Sequence, residues 1–126
     1  MALKPALQEQ TDNELTPLSI AQKCAAAADD KKASDIVVLD VAKLTSFADY
    51  FVICSAPSER QVGAIVHNIE DVMREHGVRP LGVEGMETCS WVLLDFGDVI
   101  VHCFTDAARE YYDLEGFWID APKVTP

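Results

Sequence analysis

The apolar positions of this chain fall into short runs whose spacing changes from two to three-and-four and back, and the clearest pair lies between Trp91 and Phe104. There Trp91–Asp95 and Val99–Phe104 flank a Gly-Asp turn signal, which predicts a β-hairpin. With Gly97 and Asp98 as the loop, Gly97 supplies the positive φ of a type II′ turn, so Phe96 pairs with Val99 and Trp91 with Phe104. Alternation then puts Val92, Leu94, Phe96, Val99, Val101 and Cys103 on one wholly apolar face, the core side. Trp91, Leu93, Asp95, Ile100, His102 and Phe104 share the other, a face that mixes apolar bulk with a carboxylate and an imidazole. Two readings stay open for it: a surface for a partner, or a face on which Asp95 and His102 are satisfied locally under a covering helix.

Upstream, Thr16 and Pro17 give an N-cap and first-position signal for an Ala-rich helix to about Asp30, with Ile20, Ala21, Cys24, Ala27 and Ala28 on one stripe. Asp35–Val41 predicts a central, doubly covered strand and Asp49–Ser55 a second one. Ser58 with Gln61 predicts a capping box, opening a helix whose stripe is Val62, Ile65, Val66, Ile69, Val72 and Met73 and which stops at Gly77. His67 and His76 lie on or near it without metal-spaced partners. Arg79–Glu84 reads as a short strand, with residues 82–85 a flexible break before the hairpin. Thr105 or Asp106 caps one final short helix carrying Tyr111, Tyr112 and Leu114. The expected organisation is a polar, disordered leader over residues 1–15, one domain over 16–120 and a loose, Pro-bounded tail over 121–126. The element order predicts an α+β, three-layer α/β domain with a mixed sheet flanked by helices.

Composition narrows the function. At 126 residues the chain suffices for one core, and its apolar runs are too short to cross a bilayer. A net charge of −11 argues against gripping a phosphate backbone and is compatible with a basic protein partner or simply with an acidic exterior. Cys24, Cys54, Cys89 and Cys103 are widely spaced in apolar or small-residue settings, which predicts buried thiols and no disulfide or zinc site. No signal or transit pattern is present at the N-terminus, so a cytoplasmic location is expected.

Candidate chemistry is sparse. Asp95, Asp98, Glu84 and Asp49 are the available acids, but two carboxylates three apart across a turn fit a metal-dependent phosphoryl or nucleotidyl transferase poorly. Cys103 and His102, adjacent on a strand, point to opposite faces and cannot act as a nucleophile and base. No P-loop, dinucleotide glycine fingerprint or nucleophile elbow occurs.

Several blocks, taken together and in order, resemble one family. They are Asp30–Val41, Asp49–Ser55, Ser58–Val62, Pro80–Gly85, the Trp91–Phe104 hairpin and Arg109–Trp118, and they resemble the ribosomal silencing factor (Iojap-like) proteins over roughly Ile20–Trp118. The resemblance implies a non-enzymatic translation regulator that binds the large ribosomal subunit through its protein fourteen and sterically blocks subunit joining. It also implies a link to large-subunit maturation, and a fold similar to nucleotidyltransferases without their catalytic set. No cofactor, no metal, no membrane and no sequence-specific nucleic-acid contact are expected. By the same resemblance the partner-binding residues are Trp91, Leu93, Asp95, Gly97, Asp98, Arg109, Tyr111, Tyr112 and Leu114, with Trp91 as anchor and the two acids facing Lys or Arg. Gly116 departs from the family pattern before the Phe117–Trp118 pair. A nucleotide-transferring enzyme and a scaffold that pairs with itself, for instance as a homodimer, are the alternatives.

Overall fold

Gly97, at φ +92°, turns the chain between β4 (Trp91–Asp95) and β5 (Val99–Thr105), and the register is the one that apolar alternation requires. Trp91 lies opposite Phe104, Val92 opposite Cys103, Leu93 opposite His102 and Leu94 opposite Val101. The Phe96 N–H donates to the Val99 carbonyl at 2.9 Å and closes the turn. This computed structural model describes residues 15–126, so the expected leader, but for Leu15, lies outside the described residues.

Two long helices cover the core face of the hairpin. In α1 (Pro17–Asp30) the Thr16 hydroxyl accepts from the Ser19 N–H, and in α2 (Glu59–Glu75) the Ser58 hydroxyl accepts from the Gln61 N–H, each at 3.2 Å. These caps satisfy first-turn donors that have no helical partner. The Gln61 side chain does not return to Ser58; it reaches the Lys31 carbonyl at 3.5 Å, so only half of the predicted box forms. Val62, Ile65, Val66, Ile69 and Met73 are fully buried against Val92, Leu94, Val99, Val101 and Cys103. Each such side chain contributes roughly 1.5–3 kcal/mol. Gly77, at φ +78°, ends α2 in the left-handed conformation that favours glycine. His67 is exposed beside Glu70, and the His76 ring meets the Val72 carbonyl at 3.0 Å, so neither histidine is placed as a ligand.

Among the described residues one six-stranded sheet runs in the order β3 (Gly82–Glu84), β4, β5, β2 (Tyr50–Ala56), β1 (Ser34–Asp40), β6 (Lys123–Val124). Only β2 and β5 pair in parallel. The sheet is therefore mixed and the fold α+β, with the long helices on one face and short C-terminal helices over part of the other.

Three expectations need correction. The strand expected to be central, β1, is next to the sheet's end, and β2 with β5 forms the centre, because β1 has only the two-residue β6 beyond it. The tail expected to be loose supplies β6: Val124 pairs with Val38, and Gln22 donates to the Thr125 carbonyl at 3.2 Å. The short strand expected over Arg79–Glu84 is present over Gly82–Glu84 as the edge strand β3, so those residues are not a flexible break; Gly85 closes it at φ +93°, where a Cβ would collide with the Trp91 carbonyl. In addition, the single helix expected after Phe104 is two: α3 (Asp106–Tyr112) and the one-turn α4 (Leu114–Phe117), separated by Asp113 at φ +46°.

Candidate functional site

The second face of the sheet is covered on one side only. Leu39, Phe51, Ile53 and Phe104 are buried there with Leu114 and Trp118 packed over them, and Trp118 meets Phe51 edge-on at 5.0 Å. Toward β3 and β4 the same face lies open, with Trp91, Leu93 and Asp95 partly exposed, and the register sets Glu84 beside Leu93 and Gly82 beside Asp95. A cleft of about 250 Å³ is lined by Glu84, Gly85, Trp91 and Leu93.

Trp91 sits at the junction of the covered and open halves. Its ring stacks on Phe104 at 4.9 Å and 29° and meets Tyr112 at 4.8 Å; Tyr112 in turn touches Tyr111 edge-on at 5.0 Å. Tyr111 is 81% and Tyr112 47% exposed, so the ring series runs from core to solvent. Such amphipathic rings bury large area at little conformational cost.

His102 lies beneath this series. The Trp91 Nε1–H donates to His102 Nδ1 at 3.1 Å. Since an indole N–H only donates, Nδ1 must be bare and the imidazole proton sits on Nε2. That Nε2 is buried and without a partner, and the nearest rings to the imidazole are Phe51, Trp91 and Phe104. Burial lowers the His102 pKa from 6.5 to about 4, so the ring is neutral near pH 7. An unsatisfied buried donor of this kind costs roughly 1–3 kcal/mol.

Asp95 is drawn into the turn, where its Oδ1 accepts from the Gly97 N–H at 2.8 Å. Asp98 is exposed at the tip, and its carbonyl accepts from the N–H groups of Asp49 at 2.8 Å and Tyr50 at 3.1 Å. Trp91 and the Gly97–Asp98 turn occupy opposite ends of β4, on the order of 20 Å apart at strand rise. Trp91, Leu93, Tyr111 and Tyr112 form one cluster; Asp95, Gly97 and Asp98 form a second, beside which Leu81 stands 78% exposed.

Arg109 and Leu114 join neither cluster. The Arg109 guanidinium faces inward: it grips both Glu115 carboxylate oxygens at 3.0 and 3.2 Å and donates to Ser55 Oγ at 3.1 Å. Leu114 packs into the covered half of the face. These two hold the C-terminal helices in place and so set where Tyr111 and Tyr112 stand. Sequence reading had placed His102 on this face without finding its partner, although Trp91 and His102 are diagonal neighbours in the predicted register. Leu81 was missed, since nothing in its spacing distinguishes an exposed strand flank from a buried one.

Among the described residues no group of three or more His, Cys, Asp or Glu side chains is arranged to hold a metal ion, and no helix is long and apolar enough to cross a membrane. The four cysteines are free thiols; Cys24, Cys54 and Cys103 are buried, and burial pushes Cys24 up to about 12.

Comparison with known proteins gives this face its context. Residues 14–126 match the family model described as "Ribosomal silencing factor during starvation". The chain is 47% identical to the Ribosomal silencing factor RsfS of Bacillus subtilis over 104 residues, covering 82% of this chain and 88% of that protein. It is 33% identical to the mouse protein named Mitochondrial assembly of ribosomal large subunit protein 1, covering 70% of this chain and 40% of the mouse protein. A crystal structure of a Chromobacterium violaceum protein superposes with a TM-score of 0.80 at 38% identity, covering 82% of this chain and 87% of that one. With the match running from α1 to the last strand, this chain belongs to the ribosomal silencing factor family.

Proposed function

We propose that the open half of the sheet face docks on the large ribosomal subunit, on its protein fourteen, and that the bound protein blocks approach of the small subunit. It represses translation by occupancy, in the cytoplasm, and catalyses no reaction. The observation that carries this reading is Trp91: a partly exposed ring, seated between Phe104 and Tyr112, at the edge of the half of the sheet face that no helix among the described residues covers. Leu93, Tyr111 and Tyr112 extend its apolar area, while Asp95 and Asp98 offer carboxylates to Lys or Arg at the far end of β4. A net charge of −11 suits a basic protein as partner and disfavours RNA phosphates.

The name of the mouse relative favours a second role at the same face, in assembling the large subunit. A self-paired dimer would hide this face and compete with docking.

Sedimentation of the full chain with large subunits, small subunits and joined ribosomes tests the reading. Comigration with large subunits alone, lost in Trp91→Ala, is the expected result. Comigration with no ribosomal particle overturns it, and a light-scattering mass that rises with concentration would then point to self-association.

A further inference from the structure

We propose that His102 is the positioning residue for Trp91: it selects which way the indole ring lies on the open face and so presets the anchor before a partner arrives. The proposal rests on the docking role given to Trp91 above.

Trp91 is stacked on Phe104 at 4.9 Å and lies against Tyr112 at 4.8 Å, contacts that hold the plane of the ring. Turning the indole by 180° about its χ2 bond would exchange the sides taken by Nε1 and the six-membered ring. The polar contact that such a turn would break is the Nε1–H to His102 Nδ1 hydrogen bond at 3.1 Å. It draws the N–H edge inward over β5, while the ring also lines the cleft formed with Glu84, Gly85 and Leu93. An anchor ring held in one orientation loses less freedom on docking.

His102 is also hard to explain by packing. It is 95% buried, since only 5% of its surface is accessible, and Phe51, Trp91 and Phe104 surround it. A leucine in such a setting would have no polar atom to satisfy, whereas the histidine leaves Nε2 without a partner. The residue therefore works against stability at one nitrogen while serving Trp91 with the other. Glu84 is the acid that lines the cleft with Trp91, and the indole N–H donates to His102 rather than to that carboxylate.

The test compares the full chain with His102→Leu, which removes the acceptor, and His102→Asn, whose Oδ1 can stand near the position of Nδ1. The indole N–H signals are followed by NMR, with Trp118→Phe separating the two tryptophans, and binding to large subunits is followed by sedimentation. In His102→Leu the Trp91 indole proton should exchange about tenfold faster and binding should weaken about tenfold. His102→Asn should recover most of both. The melting temperature of His102→Leu should stay within about 5 °C of wild type or rise. An unmoved indole signal, unchanged binding, or a larger drop in melting temperature would overturn the proposal, the last by giving His102 a packing role. If the wild-type chain binds no large subunit, the docking reading of Trp91 falls, and indole exchange alone then decides whether His102 sets the ring.

Discussion

Arg109 and Glu115 form a two-pronged ion pair across the break between α3 and α4, Nε to Oε1 at 3.0 Å and Nη2 to Oε2 at 3.2 Å. The Arg109 side chain is only 13% exposed, and a further donor reaches Ser55 Oγ on β2. Arg109→Ala should lower stability by about 2–3 kcal/mol in urea unfolding, because it strands the Glu115 carboxylate and a buried hydroxyl. Arg109→Lys should recover less than half of that, lacking the planar fork. Because Arg109 sets where Tyr111 and Tyr112 stand, folded Arg109→Ala should also bind large subunits more weakly. Unchanged affinity would take the Arg109–Glu115 pair out of the placement of those rings.

Asp95 has two roles that substitutions can separate. Asp95→Asn keeps an oxygen for the Gly97 N–H and removes the charge, so its stability should stay within about 0.5 kcal/mol of wild type. Asp95→Lys should cost about 1 kcal/mol, since it also loses the turn hydrogen bond. Affinity for large subunits should fall about threefold for Asn and further for Lys, and the difference should shrink as salt rises. Identical affinities at low salt would remove the Asp95 charge from the docking surface.

Acid should destabilise the fold through His102. Its pKa is lowered from 6.5 to about 4 by burial, so between these values the unfolded chain binds the proton more readily than the native one. Neutral His102 adds no pH dependence above 6.5, and as pH falls from there toward 4 the fold loses about 3 kcal/mol relative to its neutral-pH stability. In His102→Leu, the pH dependence of urea midpoints should flatten over that window. An identical slope in both proteins would assign the acid sensitivity to other groups.

Gly85 and Gly82 make a matched pair for a backbone test. Gly85 has a left-handed φ of +93° and no space for a Cβ beside the Trp91 carbonyl, whereas Gly82 has nothing within 4 Å of the added atom. Gly85→Ala should cost about 2 kcal/mol or more and alter Trp91 fluorescence, while Gly82→Ala should stay within about 0.5 kcal/mol. Equal effects of the two would show that β3 does not fix the start of β4.

What could be read from the sequence was what local rules decide. The hairpin register followed from Gly97 and alternation, and the helix starts followed from Thr16 and Ser58, because a turn or a cap is settled by neighbours within a few residues. The standing of β1 and the pairing of Val124 with Val38 were not legible, since sheet order depends on contacts far apart in sequence. That Arg109 turns toward Glu115 and Leu114 packs onto the sheet was not legible for a related reason. Asp113 at φ +46° breaks the last helix and turns the following residues back onto the sheet, and a left-handed Asp has only a weak sequence signature. The Trp91–His102 contact was within reach, because the register alone puts the two residues on one face, one diagonal apart.

The strand β5 takes its two neighbours from very different parts of the chain, and this sets an order of assembly. β4 reaches it across a tight turn, a closure of microseconds, whereas β2 pairs with it only after the whole α2–β3–β4 segment has been laid down between Ala56 and Val99. The slow event is therefore the docking of α2 that brings β2 alongside a hairpin already made. Ile65→Val and Leu93→Ala should both mainly slow refolding, because the slow step already contains the hairpin and the docked helix; a Leu93→Ala chevron that moves only on its unfolding limb would reverse the order. On this view the sheet grows inward from its edge hairpin, so that Trp91 and His102 come onto one face before the central strand pair closes.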